Sequence, residues 1–499
     1  MGHLCQLRGV PLSAPLPRNV VCVLLDSLSR NLLGCYGGHE FETPNLDRFA
    51  TRASQFHRHF VGSLPCMPAR HDLACGTHDF LWKPWGSIES WEVPLPRELS
   101  AAGVTTQLVT DHYHLFSSGG ENYHVDFLGW DFLRGGEADR WITEPVPSQV
   151  GAPILPYRDF SYPRNRQRFE TEADWHGPRT MATAAAWLDD NAGKHERFFL
   201  LVDEFDPHEP FDTPAPYRDM YDPSWADDPI IWPPYSREHL DEAVARQIRS
   251  QYGGKLTMID AWFGRVLDAL DRHALWDDTL VVVMTDHGLY LGEHDMWGKP
   301  SYSLKSPLVR VPLLVHAPGA ARRDVDSLTS NLDVHATIRA VFGFPEGDRP
   351  GRSLLPVLHG EQAGVREWAL GGYFGHRPFV TDGRMAYQPG ASTDSPVYVY
   401  SNRWSAPPFL PLPAMSRDAE LGEFMPGVEW PVIRTPLSAW RTPIDVAETF
   451  LFDLDDDPGE QQNRADDAKE VSAAHDLLVA ALDEVSAPPE VYERVAIGQ

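Results

Sequence analysis

Cys66-Met67-Pro68-Ala69-Arg70, followed by HDLACG, is the sharpest local signal for chemistry in the chain. Pro68 suits a first helical turn and Gly76 a helix stop, so Cys66 reads as lying at a helix N-terminus. Unpaired backbone N–H groups and the helix dipole favour an anion there. Arg70, one turn on, adds a full positive charge. A nucleophile at residue 66 would face a sulfate or phosphate held by the helix end. The plain alternative is a buried structural cysteine, a common fate for this residue type, and the pentapeptide alone does not separate the two. Other polar candidates follow apolar runs. Asp26 ends NVVCVLL, Asp203 follows FFLLV, and Asp286-His287 follow TLVVVM after one threonine.

Those runs are the elements that must position the site. Asn19–Leu25, Val104–Val109, Phe198–Val202, Thr279–Met284 and Val311–Val315 read as buried strands. Helices are expected from Thr43-Pro44, with Thr43 as N-cap, over Pro96–Ala102, and around Met181–Asn191. The stretch Arg237–His273 has helical periodicity that Gly253-Gly254 should interrupt. Strands alternating with helices imply an α/β domain with a mostly parallel sheet between helices. In such folds ligands sit beyond the carboxyl ends of the strands, which gathers Asp26, Asp203, Asp286 and His287 on one edge. Past about Gly360 the pattern changes to short strand-like pieces (Met385–Tyr387, Val397–Tyr400), a Pro- and Trp-rich stretch from Trp404 to Trp440 read as an extended loop, and a helix over Lys469–Val485. The expected division is a domain over residues 1–360 and a smaller α+β domain over 361–499.

The 499 residues carry 43 Lys and Arg against 71 Asp and Glu, a formal charge of −28. Such a chain repels polyanions, and nucleic acid is excluded as a partner, although a local pocket can still collect a small anion. A hydrophobic share of 42% supplies a core. The five cysteines, Cys5, Cys22, Cys35, Cys66 and Cys75, show no disulfide-like spacing. With no secretory h-region and no apolar run of bilayer length, a soluble cytoplasmic protein without a membrane partner is expected. Oligomeric state is not legible.

C-x-P-x-R resembles the modification motif of type I sulfatases and of phosphonate monoester hydrolases, within the alkaline phosphatase superfamily. The likeness extends in order along most of the chain: Asn19–Asp26 with Tyr36-Gly37 and TPNLDRFA, then FFLLVDEFDPHEPF, TDHGLYLGEHDMWGK, RSLLPVL and LFDLDDDPGEQQN. It implies the sulfatase (alkaline-phosphatase-like) fold, with a large, mostly parallel mixed sheet between helices and a smaller C-terminal domain carrying an antiparallel sheet. It also implies that a formylglycine-generating enzyme converts Cys66 to formylglycine. One divalent cation would be held by Asp26, Asp286, His287 and residue 66. Carboxylate oxygens suit Ca²⁺, Mg²⁺ or Mn²⁺, and the histidine shifts the choice toward Mn²⁺. His208 and Lys299 fall where family members contact the sulfate and help the leaving oxygen depart. His294 either orients Lys299 or packs.

Two departures stand out. Sulfatases usually carry a second acid after the first strand, and here that position is Ser27. After Val109 many have G-K-W-H, but this chain has Thr110-Asp111-His112-Tyr113-His114. The lysine is absent. His112 or His114 is the candidate base for reopening the covalent intermediate, and Asp111 a candidate for a cationic part of the substrate. The resemblance thus implies hydrolysis of a small-molecule sulfate ester. Ser27 and the Asp286–His287 pair keep a phosphonate monoester or phosphodiester open as the alternative, and a non-catalytic binding protein on the same fold is a third reading.

Overall fold

The computed structural model describes residues 16–144, 161–301, 303–392, 395–403, 417–437 and 448–495. Its centre is an eight-stranded mixed sheet in the order Asp324–Ser330, Ser54–Phe60, Leu313–His316, Thr279–Met284, Asn19–Leu25, Phe198–Glu204, Thr105–Thr110, Gly129–Phe132. Asn19–Leu25 lies parallel between Phe198–Glu204 and Thr279–Met284, with Leu24 opposite both Asp203 and Met284. All seven of its residues are buried. Val21, Val23 and Leu25 pack into the core on one face, and Val20, Cys22 and Leu24 into the core on the other. A strand apolar on both faces is what a sheet covered by helices on both sides demands.

Leu313–His316 is antiparallel to both neighbours. It starts after Pro312 rather than at Val311, since proline cannot donate to a ladder. Ser54–Phe60 (SQFHRHF), Asp324–Ser330 and Gly129–Phe132 escape sequence reading because polar residues interrupt their apolar pattern. Glu242–Arg272 is one unbroken helix, against the expectation of a break at Gly253-Gly254. A Cβ on Gly253 would lie 2.2 Å from the Phe41 ring, and one on Gly254 2.3 Å from the Tyr217 carbonyl oxygen. The glycines are there for close approach. Thr43 is the N-cap residue of Pro44–Ala50, as expected, but its side chain makes no cap hydrogen bond. Its hydroxyl accepts the Gly34 N–H, while Asp260 of the long helix accepts the Asn45 and Leu46 N–H groups at 2.9 and 2.7 Å.

Beyond residue 360, Ala369–Tyr373, Phe379–Thr381, Met385–Gln388 and Phe450–Asp453 form a second sheet, covered by the helix Ala468–Glu484. Its edge strand is Ser63–Leu64, parallel to Gly372–Tyr373 and just ahead of Cys66. Of the Pro- and Trp-rich stretch, 404–416 and 438–440 lie outside the described residues. The part between them is not an extended loop. Glu420–Gly422 and Val432–Pro436 pair with each other, and the second also pairs with Tyr398–Tyr400. The β-branched run in VIRTP carries the strand, with Pro431 just before it and Pro436 as its last residue. Among the described residues no helix is long and apolar enough to cross a membrane, and Cys22, Cys35, Cys66 and Cys75 are free thiols.

Candidate active site

The helix Cys66–Cys75 begins at the cysteine and stops at Gly76, whose φ of 71° is the left-handed conformation a glycine stop adopts. Asp72, on the same helix, accepts the Ser63 N–H at 2.6 Å, the Ser63 hydroxyl at 2.7 Å and the Asp79 N–H at 3.0 Å. These bonds pin the chain on both sides of the helix and aim its first turn at the strand ends.

There Cys66 Sγ lies 3.2 Å from His287 Nε2, 3.5 Å from Lys299 Nζ and 3.9 Å from Asp26 Oδ1. His287 Nδ1 is 2.9 Å from the Gly288 carbonyl oxygen. A carbonyl only accepts, so Nδ1 carries the hydrogen and Nε2 turns a lone pair toward residue 66. Burial lowers the His287 pKa to about 4, which keeps the ring neutral. Asp26 and Asp286 are buried side by side. Burial, and then the neighbouring Asp286, push the Asp26 carboxyl well up. Asp286 stays low: burial opposes its charge, but His287 and Arg70 outweigh that. Burial, followed by Asp26, also pushes the Cys66 thiol well up, so the unmodified side chain is a protonated thiol.

Arg70 ties the carboxylates together. Its Nε and Nη2 grip Asp203, at 2.9 Å and 2.7 Å, while Nη1 reaches Asp286 Oδ2 at 2.8 Å and Asp26 Oδ2 at 3.0 Å. Asp26, Asp286, His287 and Cys66 offer ligand atoms that all lie within 4.8 Å of one another. Two adjacent buried carboxylates, one with its charged form disfavoured, and a neutral imidazole with an outward lone pair form a donor set that fits a hard divalent cation.

Lys299 Nζ stands 2.7 Å from His208 Nε2 and 3.5 Å from the Ser27 hydroxyl. Burial disfavours the ammonium, but Cys66, Glu209, Asp26 and Asp286 outweigh it and raise its pKa. His208 Nδ1 faces the Glu209 carbonyl oxygen at 2.6 Å, and the ring stacks on Phe205. Ser27 has a φ of 61°, in the left-handed region, and its N–H donates to Asp286 while its hydroxyl donates to Asp26. It orients the carboxylates rather than adding one.

The structure thus gathers Asp26, Cys66, Arg70, His208, Asp286, His287 and Lys299. His112 is fully buried, its Nε2 3.8 Å from Asp26 Oδ2, and burial together with Arg70 keeps it neutral. His114 lines the cleft and bonds to Glu137 at 3.0 Å. Asp111 does not reach the cleft. It is fully buried, accepting the Phe205 N–H at 2.8 Å and facing His176 Nδ1 at 2.5 Å. His294 lies apart, near Lys305 and Gln461. Sequence reading missed the Arg70–Asp203 pair, Glu209 at 3.9 Å from Lys299, and Tyr373, whose hydroxyl donates to the Lys299 carbonyl oxygen. Arg70 and Asp203 were each visible by position but not as a pair, Glu209 carried a signal as a charged residue inside DPHEP, and Tyr373 carried none. Above the floor formed by Cys66, His208 and Lys299 opens a cleft of about 1150 Å³, walled by Trp85, Phe116 and Trp130.

Residues 18–344 match the Sulfatase family model. The multifunctional alkaline phosphatase superfamily protein PehA of Trinickia caryophylli is 29% identical over 418 residues, 68% of this chain and 77% of that protein. The choline-sulfatase of Rhizobium meliloti is 26% identical over 377 residues, 68% of this chain and 72% of its own. The crystal structure of the phosphonate monoester hydrolase of Agrobacterium radiobacter superposes with a TM-score of 0.64 at 19% identity, covering 94% of this chain and 95% of its own, which extends the likeness of fold into the C-terminal sheets. With the family model spanning the strands and loops that build this site, the chain belongs to the sulfatase family.

Proposed function

We propose that the protein hydrolyses sulfate esters with a formylglycine nucleophile generated at Cys66 and one divalent cation. The observation that carries this is the convergence of Asp26, Asp286, His287 and Arg70 on residue 66, with Lys299 and His208 facing it across the cleft floor. Arg70 holds both carboxylates in register and brings positive charge to the helix end where an anion docks. A divalent cation held by Asp26, Asp286, His287 and the group at residue 66 would polarise the anionic ester and acidify the attacking hydroxyl. That hydroxyl belongs to the aldehyde hydrate of residue 66.

Lys299 and His208 act on the other side, where negative charge builds on the departing oxygen. With His208 Nδ1 committed to the Glu209 carbonyl, Nε2 accepts from Lys299, and the pair presents an ammonium to the leaving group. A base, His112 or His114, then takes the proton of the remaining hydroxyl. The covalent ester collapses, sulfate leaves and the aldehyde returns, so the second step is an elimination rather than attack on a hindered ester.

Ser27 supports a second reading. Its hydroxyl leaves the site with one carboxylate fewer than sulfatases usually carry, and the relatives include PehA as well as a choline-sulfatase. Steady-state turnover of matched aryl sulfate, aryl phosphonate and aryl phosphodiester substrates decides between the two. A dominant kcat/KM on the sulfate is expected, and dominance of the phosphonate or diester would overturn the choice.

A further inference from the structure

The long helix Glu242–Arg272 carries a lysine with no solvent contact. Lys255 Nζ lies 2.6 Å from Asp206 Oδ1 and donates to the carbonyl oxygens of His208, at 3.0 Å, and Pro210, at 2.7 Å. Of the ammonium's three donors, two are spent on the carbonyls of residues 208 and 210, and Asp206 supplies the opposing charge from the same turn. Taking an ammonium out of water is costly, and a buried ion pair can often be exchanged for apolar side chains of like volume without loss of stability. Stability alone therefore gives no reason for a charge here.

The turn it grips carries His208. One Lys255 bond ends on the carbonyl of His208 itself and another on that of Pro210. Between them the Glu209 carbonyl faces His208 Nδ1 at 2.6 Å. The backbone that sets the ring's hydrogen-bond direction is thus held on both sides by one buried cation, and the far ring nitrogen is delivered to Lys299 at 2.7 Å. We propose that Lys255, anchored by Asp206, is a positioning residue that aligns the His208 imidazole with Lys299 and so sets how strongly the leaving oxygen is assisted. The inference rests on the proposed role of the His208–Lys299 pair.

Lys255→Met alone leaves Asp206 buried without its partner and is expected to fold poorly. The test is therefore the double variant Lys255→Met/Asp206→Asn, which removes both charges at similar volume. It is produced alongside wild type with a formylglycine-generating enzyme and compared over aryl sulfates of increasingly basic phenols. The double variant should hold kcat on the best leaving group near wild type and lose about 100-fold on the poorest, the scale of lost proton assistance. Its crystal structure should show the His208 ring out of hydrogen-bond reach of Lys299. A uniform loss across the series, or no loss, overturns the inference. If wild type turns over none of the series, the sulfatase reading fails, and the ring position still decides the positioning claim: a displaced ring upholds it, and an unmoved ring overturns it.

Discussion

Arg70 uses one planar fork to hold three carboxylates from three strand ends, Asp26, Asp203 and Asp286. A lysine would keep the charge but could not grip Asp203 bidentately while bridging the other two. Arg70→Lys should therefore fold yet lose about 100-fold in kcat/KM, the size of effect seen when a preorganised electrostatic contact is removed. Steady-state kinetics on the purified variant checks this, and near-wild-type turnover would show that charge alone suffices. Asp26, Asp286, His287 and Cys66 were legible because each sits within a few residues of the end of an apolar strand or at a helix start, where backbone geometry dictates the edge. Asp111 meets the same description and yet points into the protein. Which way a side chain leaves a strand end depends on partners such as His176, distant in sequence. Asp203 was legible by position but not by partner, for the same reason.

At the scale of elements, long helical periodicity was readable, but the purpose of its glycines was not, because close approach is a property of two surfaces. Gly254→Ala improves intrinsic helix propensity by up to about 1 kcal/mol. It also drives a methyl into the Tyr217 carbonyl, a backbone atom that cannot swing aside. A net destabilisation of about 1–3 kcal/mol is expected, read as a lowered thermal unfolding midpoint, and an unchanged or raised midpoint would contradict the close-approach account. Glu460 makes a second case. Its carboxylate accepts the Ser306 N–H at 2.7 Å and, with Lys305 and Asp457 as its charged neighbours, is raised by burial from 4.5 to about 7. Below pH 4.5 the group is protonated folded or unfolded. Between pH 4.5 and 7 only the folded chain keeps the proton, so stability falls as pH rises, by up to on the order of 3 kcal/mol. Glu460→Gln should flatten that fall when unfolding is followed from pH 5 to pH 8, and an unaltered slope would contradict the assignment.

For the whole molecule, the strand–helix alternation disclosed an α/β sheet and its functional edge, and motif order disclosed the family. What stayed hidden was how the two parts of the chain join. Ser63–Leu64 is too short to read as a strand, yet it is the edge of the second sheet and leads directly into Cys66. Tyr373, from that sheet, bonds the Lys299 carbonyl on the cleft floor. The residues after 360 therefore help to build the site. A chain cut at residue 360 should bury less surface, unfold without a sharp transition and show no ester turnover, and an active, cooperatively folded fragment would refute this joint construction.

The central claim is that residue 66 works as formylglycine. Peptide mass spectrometry across Cys66, on protein co-produced with a formylglycine-generating enzyme and assayed from the same sample, tests it most directly. The account predicts a formylglycine mass at residue 66, turnover that scales with its fraction, none in Cys66→Ala, and a stalled covalent ester in Cys66→Ser. Full turnover from protein whose residue 66 is wholly unmodified cysteine would contradict it.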